Sequence, residues 1–201
     1  MSETIVRSAL RLHALAGTPG ARGALDEVWV PRSNERADVA IIGTRMDGFE
    51  IKTERDTLHR LPRQVEAYGR LFDRCTAVID QRHQPEAETI LPDWWGITNV
   101  SVNGPVTFIV VRKARPNPAI DPEILVRLLW RDEVFDALVT LGRNPDRRTT
   151  RSRLWAELLR VASLTQLRTA VRNALLSRNG DQAKIPTRRF GTKPEVLPAG
   201  L

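Results

Sequence analysis

Arg36-Ala37-Asp38-Val39-Ala40-Ile41-Ile42 and, a turn later, Gly48-Phe49-Glu50-Ile51-Lys52 decide how this chain is read. Both stretches are rich in Val, Ile or Phe, and 44–48 separates them, so they predict two antiparallel strands. Successive side chains of a strand leave opposite faces. Glu50 and Lys52 therefore emerge together while Phe49 and Ile51 point to the other side, making one face chemical and the other core. Asp38 opens the first of the two strands, and the hairpin brings the Asp38 and Glu50 carboxylates toward one edge of the sheet.

Paired carboxylates at a sheet edge suit Mg²⁺, which takes a few carboxylate oxygens and keeps several waters; it could bridge a phosphate and acidify an attacking water. Lys52 would orient that water and offset developing negative charge. The triplet alone is weak evidence: with 12 glutamates and 4 lysines in 201 residues, chance supplies roughly a quarter of a Glu-x-Lys. The bland alternative is that Asp38 begins a strand and Glu50 and Lys52 form a solvated cross-strand pair.

Outward from the hairpin, Ser2 is placed to cap a first helix with apolar residues Ile5, Ala9, Leu12 and Ala16 at helical spacing, ended by Gly17, Pro19 and Gly20. Segments 25–30, 37–42 and 48–53 predict an antiparallel meander. A helix opening at Thr57 or near Pro62 runs to about Asp73, and 76–80 and 106–112 are further strands. The order is α, β, β, β, α, β. After Arg115-Pro116-Asn117-Pro118 the pattern turns helical over 123–142, 151–162 and 163–178, the last capped by Ser163. The expected division is a domain over 1–114, a helical extension over 115–178 and a loosely ordered tail over 179–201.

A net charge of +7 favours a polyanionic partner, because a basic surface gains affinity by displacing counterions from phosphates. Nucleic acid comes first and an anionic membrane surface second. No apolar run approaches the roughly 20 residues that span a bilayer, and Arg7, Arg11 and His13 interrupt the N-terminal stretch as a signal peptide would not tolerate. The expected location is the cytoplasm, where the single Cys75, among apolar neighbours, reads as a buried structural thiol.

The Asp38 strand and the Glu50-Ile51-Lys52 strand together resemble the strand pair of PD-(D/E)XK nucleases, and Gln64-Val65-Glu66-Ala67-Tyr68 is similar to the Gln-x-x-x-Tyr element of RecB-like and phage exonuclease-type members. The resemblance extends through 53–68 and Trp94-Trp95-Gly96-Ile97 to a group of bacterial proteins in that superfamily, and weakly into the helical part at Leu128-Leu129-Trp130 and 151–178. It implies an α/β, restriction-endonuclease-like fold with a mixed central sheet flanked by helices. It also implies a Mg²⁺-dependent (or Mn²⁺-dependent) deoxyribonuclease in DNA repair or processing, with DNA and a partner repair protein as the expected partners. The implied site is Asp38, Glu50 and Lys52, with Glu27 as a further metal ligand; Glu35 and Glu3 compete with Glu27 for that place. The superfamily's proline before the aspartate is replaced by Ala37. Gln64 and Tyr68, four apart on one helical face, would touch DNA or brace the site. Arg55, Arg60 and Arg63 would contact phosphates without reading sequence. Asp56 could support Lys52 from beside the site, but an Asp just before Thr57 and Leu58 is expected to cap the following helix.

His13, His59 and His83 share no zinc-like spacing with Cys75, and no phosphate-binding Gly-x-x-x-x-Gly-Lys-Ser/Thr loop or Gly-x-Ser-x-Gly elbow occurs. Two other classes remain open. One is an inert DNA-binding module presenting Arg160, Arg168 and Arg172, although the apolar stripe from Leu154 to Leu175 favours packing for those helices. The other is a subunit recruiting a partner nuclease or helicase through Trp94 and Trp95, for which buried anchors are the competing reading.

Overall fold

The computed structural model describes residues 2–178, so the expected loose tail over 179–201 lies outside the described residues. Helix α1 (Glu3–Gly17) precedes strands β1 (Ala21–Trp29), β2 (Arg36–Gly43) and β3 (Met46–Lys52). Helix α2 (Leu61–Gly69), β4 (Arg74–Asp80), α3 (Gln84–Ile90), β5 (Gly96–Val102) and β6 (Val106–Arg112) follow. Four helices close the described chain: α4 (Pro122–Leu125), α5 (Arg131–Thr140), α6 (Arg151–Val161) and α7 (Leu164–Ser177).

The six strands lie in sequence order in one sheet. β1, β2 and β3 form the expected antiparallel meander; β4 is parallel to β3 and to β5, and β6 returns antiparallel to β5. The sheet is mixed and flanked by helices, an α/β architecture with a helical C-terminal part, as expected. β5 escaped the sequence reading because Asn99 and Ser101 interrupt its apolar pattern. Tertiary pairing with β4 overrides that weak local signal.

Each face of the sheet has its own core. On one side Val6, Leu10 and Ala14 of α1 meet Val39, Ile41, Ile51 and Val78. This corrects the expected helix face: Ile5 and Leu12 are exposed at 54% and 71%. The helix carries two apolar stripes, and only the one that meets the sheet is buried. On the other side, one continuous cluster joins Ala40, Ile42, Tyr68, Phe72 and Trp95 to Ile124, Leu125, Val134, Leu154, Val171 and Leu175. The C-terminal helices thus complete the sheet's core.

The helix expected over 123–142 is broken. Leu129 and Trp130 are extended, Glu133 accepts the Trp130 N–H at 2.7 Å, and Arg178 donates to the Leu128 carbonyl at 2.8 Å. These polar ties satisfy the backbone groups that the break exposes. α7 begins as expected, with Ser163 Oγ accepting the Gln166 N–H at 3.3 Å and Gln166 accepting the Ser163 N–H at 2.9 Å. No helix among the described residues is long and apolar enough to cross a membrane.

Candidate active site

The register Val39–Phe49, carried one residue further, sets Asp38 opposite Glu50 across β2 and β3. Alternation then puts Glu50 and Lys52 on the α2 side of the sheet, because Phe49 and Ile51 pack on the α1 side. The chemical face predicted from sequence is therefore a buried one. Glu50 is 3% exposed and Lys52 7%.

Burial of this charge is matched by donors. Glu50 Oε1 accepts from Lys52 Nζ at 2.6 Å and from Gln64 Nε2 at 2.5 Å, and Glu50 Oε2 accepts from the Tyr68 hydroxyl at 2.5 Å. Gln64 and Tyr68 sit one turn apart on α2, facing the sheet, and both are buried. Of the two roles expected for them, the contacts of Gln64 and Tyr68 are those of a brace on Glu50, and the Tyr68 ring also packs in the core against Phe72 and Trp95. The Tyr68 hydroxyl also reaches the Arg36 carbonyl, so its single proton serves one acceptor at a time. Burial, then the Glu50 charge, raises the Tyr68 pKa far above its ordinary value and keeps it a neutral donor.

Asp38 Oδ2 accepts the Ile51 N–H at 2.7 Å, which locks the carboxylate beside β3. Burial, followed by repulsion from Glu50, pushes the Asp38 pKa up to about 7. Arg7 of α1 lies 3.6 Å from Asp38 Oδ1 and also pairs with Glu3 and Glu27. Sequence reading missed Arg7, whose only signal was its i,i+4 spacing from Glu3.

A cleft of about 420 Å³ opens between these groups, lined by Glu27, Asp38, Glu50, Lys52, Arg60 and Gln64 among others. Glu27 reaches it with a carboxylate bonded to Arg7 and Arg36, each at 3.0 Å, and with a left-handed backbone, φ 51°. A non-glycine residue held there is strained, a feature that concentrates at functional positions. Glu35, its competitor, is buried away from the cleft lining and pairs with Arg60 at 2.7 Å. Glu3 lines the cleft through its pairing with Arg7.

Of the three arginines, Arg60 lines the cleft, whereas Arg63 is 3.9 Å from Glu35 and Arg55 is exposed outside the lining. Asp56 does not cap α2, which starts later at Leu61. It accepts the Thr53 N–H and hydroxyl, both at 2.7 Å, and so closes the turn after β3. Buried His83 bonds the Thr53 carbonyl at 3.0 Å from the other side, a brace that nothing in the spacing of His83 disclosed. Trp95 is fully buried and Trp94 partly so, which fits anchors better than a docking surface.

The donor chemistry suits Mg²⁺. Two carboxylates, Asp38 and Glu50, repel each other at one spot, and Gln64 Oε1 in the same cleft is buried with no hydrogen-bond partner among the described residues, so it could accept from a water that a metal would carry. Among the described residues no group of three or more His, Cys, Asp or Glu side chains is placed to hold a metal. Magnesium, which is commonly held by one or two carboxylates and its own waters, does not need three.

Comparison with known proteins places the chain by descent. Protein cII of Enterobacteria phage P4 is 27% identical over 119 residues, covering 59% of this chain, and the chain spans only 45% of that relative's length. A solved protein of unknown function from Silicibacter pomeroyi shares 22% identity over 57% of this chain and 72% of its own, with a TM-score of 0.40, too distant to speak to function. The profile of the bacteriophage P4 protein cII family matches residues 17–196, and the chain therefore belongs to that family.

Proposed function

We propose that this chain is a metal-dependent deoxyribonuclease of the PD-(D/E)XK kind, acting on DNA phosphodiester bonds in repair or processing in the cytoplasm. The observation that carries this reading is the convergence of Asp38, Glu50 and Lys52 in one cleft, with Glu50 gripped by Gln64 and Tyr68 from α2. Asp38 and Glu50 would hold Mg²⁺ or Mn²⁺, with Glu27 as an outer participant; the metal would supply charge neutralisation and a more acidic water.

The rest belongs to the chain. Lys52, fixed by Glu50, presents an ammonium group to the cleft, where it orients the attacking water and offsets charge on the phosphorane. Gln64 and Tyr68 hold Glu50 in its rotamer. Arg60 at the cleft wall makes phosphate contacts that position the strand.

A second reading, an inert DNA-binding or nuclease-recruiting module, is favoured by one feature. Both Glu50 oxygens already have donors and Glu27 is tied to two arginines, so these two carboxylates are matched by the chain's own donors. Labelled linear, circular and single-stranded DNA, incubated with wild type and Lys52→Ala in Mg²⁺, Mn²⁺ or chelator, separates the two. Metal-dependent cleavage by wild type alone supports the nuclease. Salt-sensitive binding by both proteins with no cleavage supports the module.

A further inference from the structure

At the opposite end of β3 from Lys52, about 20 Å away by strand rise, a second cleft of about 400 Å³ collects arginines from three parts of the fold. Arg45 comes from the β2–β3 turn, Arg74 from the start of β4, and Arg168 and Arg172 from α7. Thr165, Arg168 and Arg172 follow at i, i+3 and i+7, so one face of α7 is turned into this cleft.

The charge is not balanced internally. Four guanidinium groups share two carboxylates, Asp47 and Asp73. Arg45 Nε is held by both Asp47 oxygens at 2.8 and 2.9 Å. Asp73 Oδ2 is taken by the Met46 N–H at 2.7 Å, leaving Oδ1 at 3.3 Å from Arg168 Nε, which is buried and makes no hydrogen bond. Among the described residues, Arg172 hydrogen-bonds Thr169 of its own helix, at 3.0 Å, and no carboxylate. Bringing several half-buried like charges together costs energy that an anion seated between them recovers. The planar fork of a guanidinium matches the tetrahedral oxygens of phosphate.

We propose that this cleft binds a phosphate group, with Arg168 and Arg172 as its principal ligands and Arg45 and Arg74 completing the charge. The group is carried either by a nucleic-acid backbone or by a small phosphate-bearing molecule, and the chemistry is the same for both. The site is separate from Asp38, Glu50 and Lys52 and stands whether or not those residues cleave DNA.

The test uses the full chain in chelator, so that cleavage does not enter. Binding of a labelled 20-base-pair duplex is followed by fluorescence anisotropy across a KCl series, and binding of inorganic pyrophosphate by calorimetry, for wild type and Arg168→Gln/Arg172→Gln. Loss of duplex affinity by about tenfold, with a log–log salt slope smaller by about two, assigns the cleft to the backbone. Loss of pyrophosphate binding with unchanged duplex affinity assigns it to a small phosphate compound. No change in either, or no binding of either by wild type, overturns the proposal. Should the double variant fail to give the wild-type circular dichroism spectrum and melt, Arg172→Gln decides alone, because among the described residues its guanidinium hydrogen-bonds Thr169 of its own helix and ties no other element.

Discussion

Asp38 is where acidity acts on this protein. Its carboxyl is raised from 3.8 to about 7 in the fold, so the stability contributed by the protonated form is complete below about pH 3.8 and is lost as pH rises through about 7. Asp38→Asn keeps an acceptor for the Ile51 N–H and removes the charge. Measured by urea unfolding in chelator, its stability relative to wild type should rise from near zero at pH 4 to on the order of 3 kcal/mol at pH 8. A difference that stays flat with pH would show that the carboxylate is not desolvated. Tyr68→Phe removes the one hydroxyl proton that buried Glu50 and the Arg36 carbonyl share, and should cost about 1–2 kcal/mol. The Glu-x-Lys pair and Gln64 and Tyr68 were legible as residues. Their burial was not, because period-2 alternation tells which side chains share a face but not what covers that face.

Elements depend on close approaches that composition does not display. A Cβ at Gly48 would meet the Phe72 ring at 2.6 Å, so β3 passes under the turn after α2 only because that residue is glycine. Gly48→Ala should lower stability by about 1–3 kcal/mol in a denaturant melt and disturb the strand that carries Glu50. Two ties on the C-terminal helices differ in kind. Ser163→Ala removes an exposed cap worth about 1 kcal/mol. Glu133→Ala leaves the Arg178 guanidinium, held also by the Leu128 carbonyl and stacked 4.2 Å over Trp130, without its counter-charge, at a cost of roughly 3 kcal/mol. Equal melting temperatures for these two variants would contradict the difference in burial. The Ser163 cap was readable because a capping box is local; the break at Leu129 and Trp130 was not, because it is held by Arg178, far along the chain.

At the scale of the whole molecule, the core that runs from Ala40 and Tyr68 to Leu154 and Leu175 ties the helical part to the sheet. The full chain should melt in one transition, and a chain ending at residue 114, stripped of Ile124, Leu125, Val134 and Leu154, should show no cooperative transition by calorimetry. Two separate transitions in the full chain would mean that the shared core does not couple the parts. Ser2, expected to cap α1, makes no side-chain cap bond. Sequence alone determined the strand meander, the element order α, β, β, β, α, β, the face shared by Glu50 and Lys52, and the Ser163 cap. All of these arise from periodicity and turn chemistry within a few residues. Only the tertiary structure decided which stripe of α1 is buried, that β5 joins the sheet, that Arg7 lines the Asp38 cleft and His83 braces the turn after β3, and that four arginines meet at the far end of β3. Those outcomes depend on contacts between residues distant in the chain, whose energies local pattern does not encode.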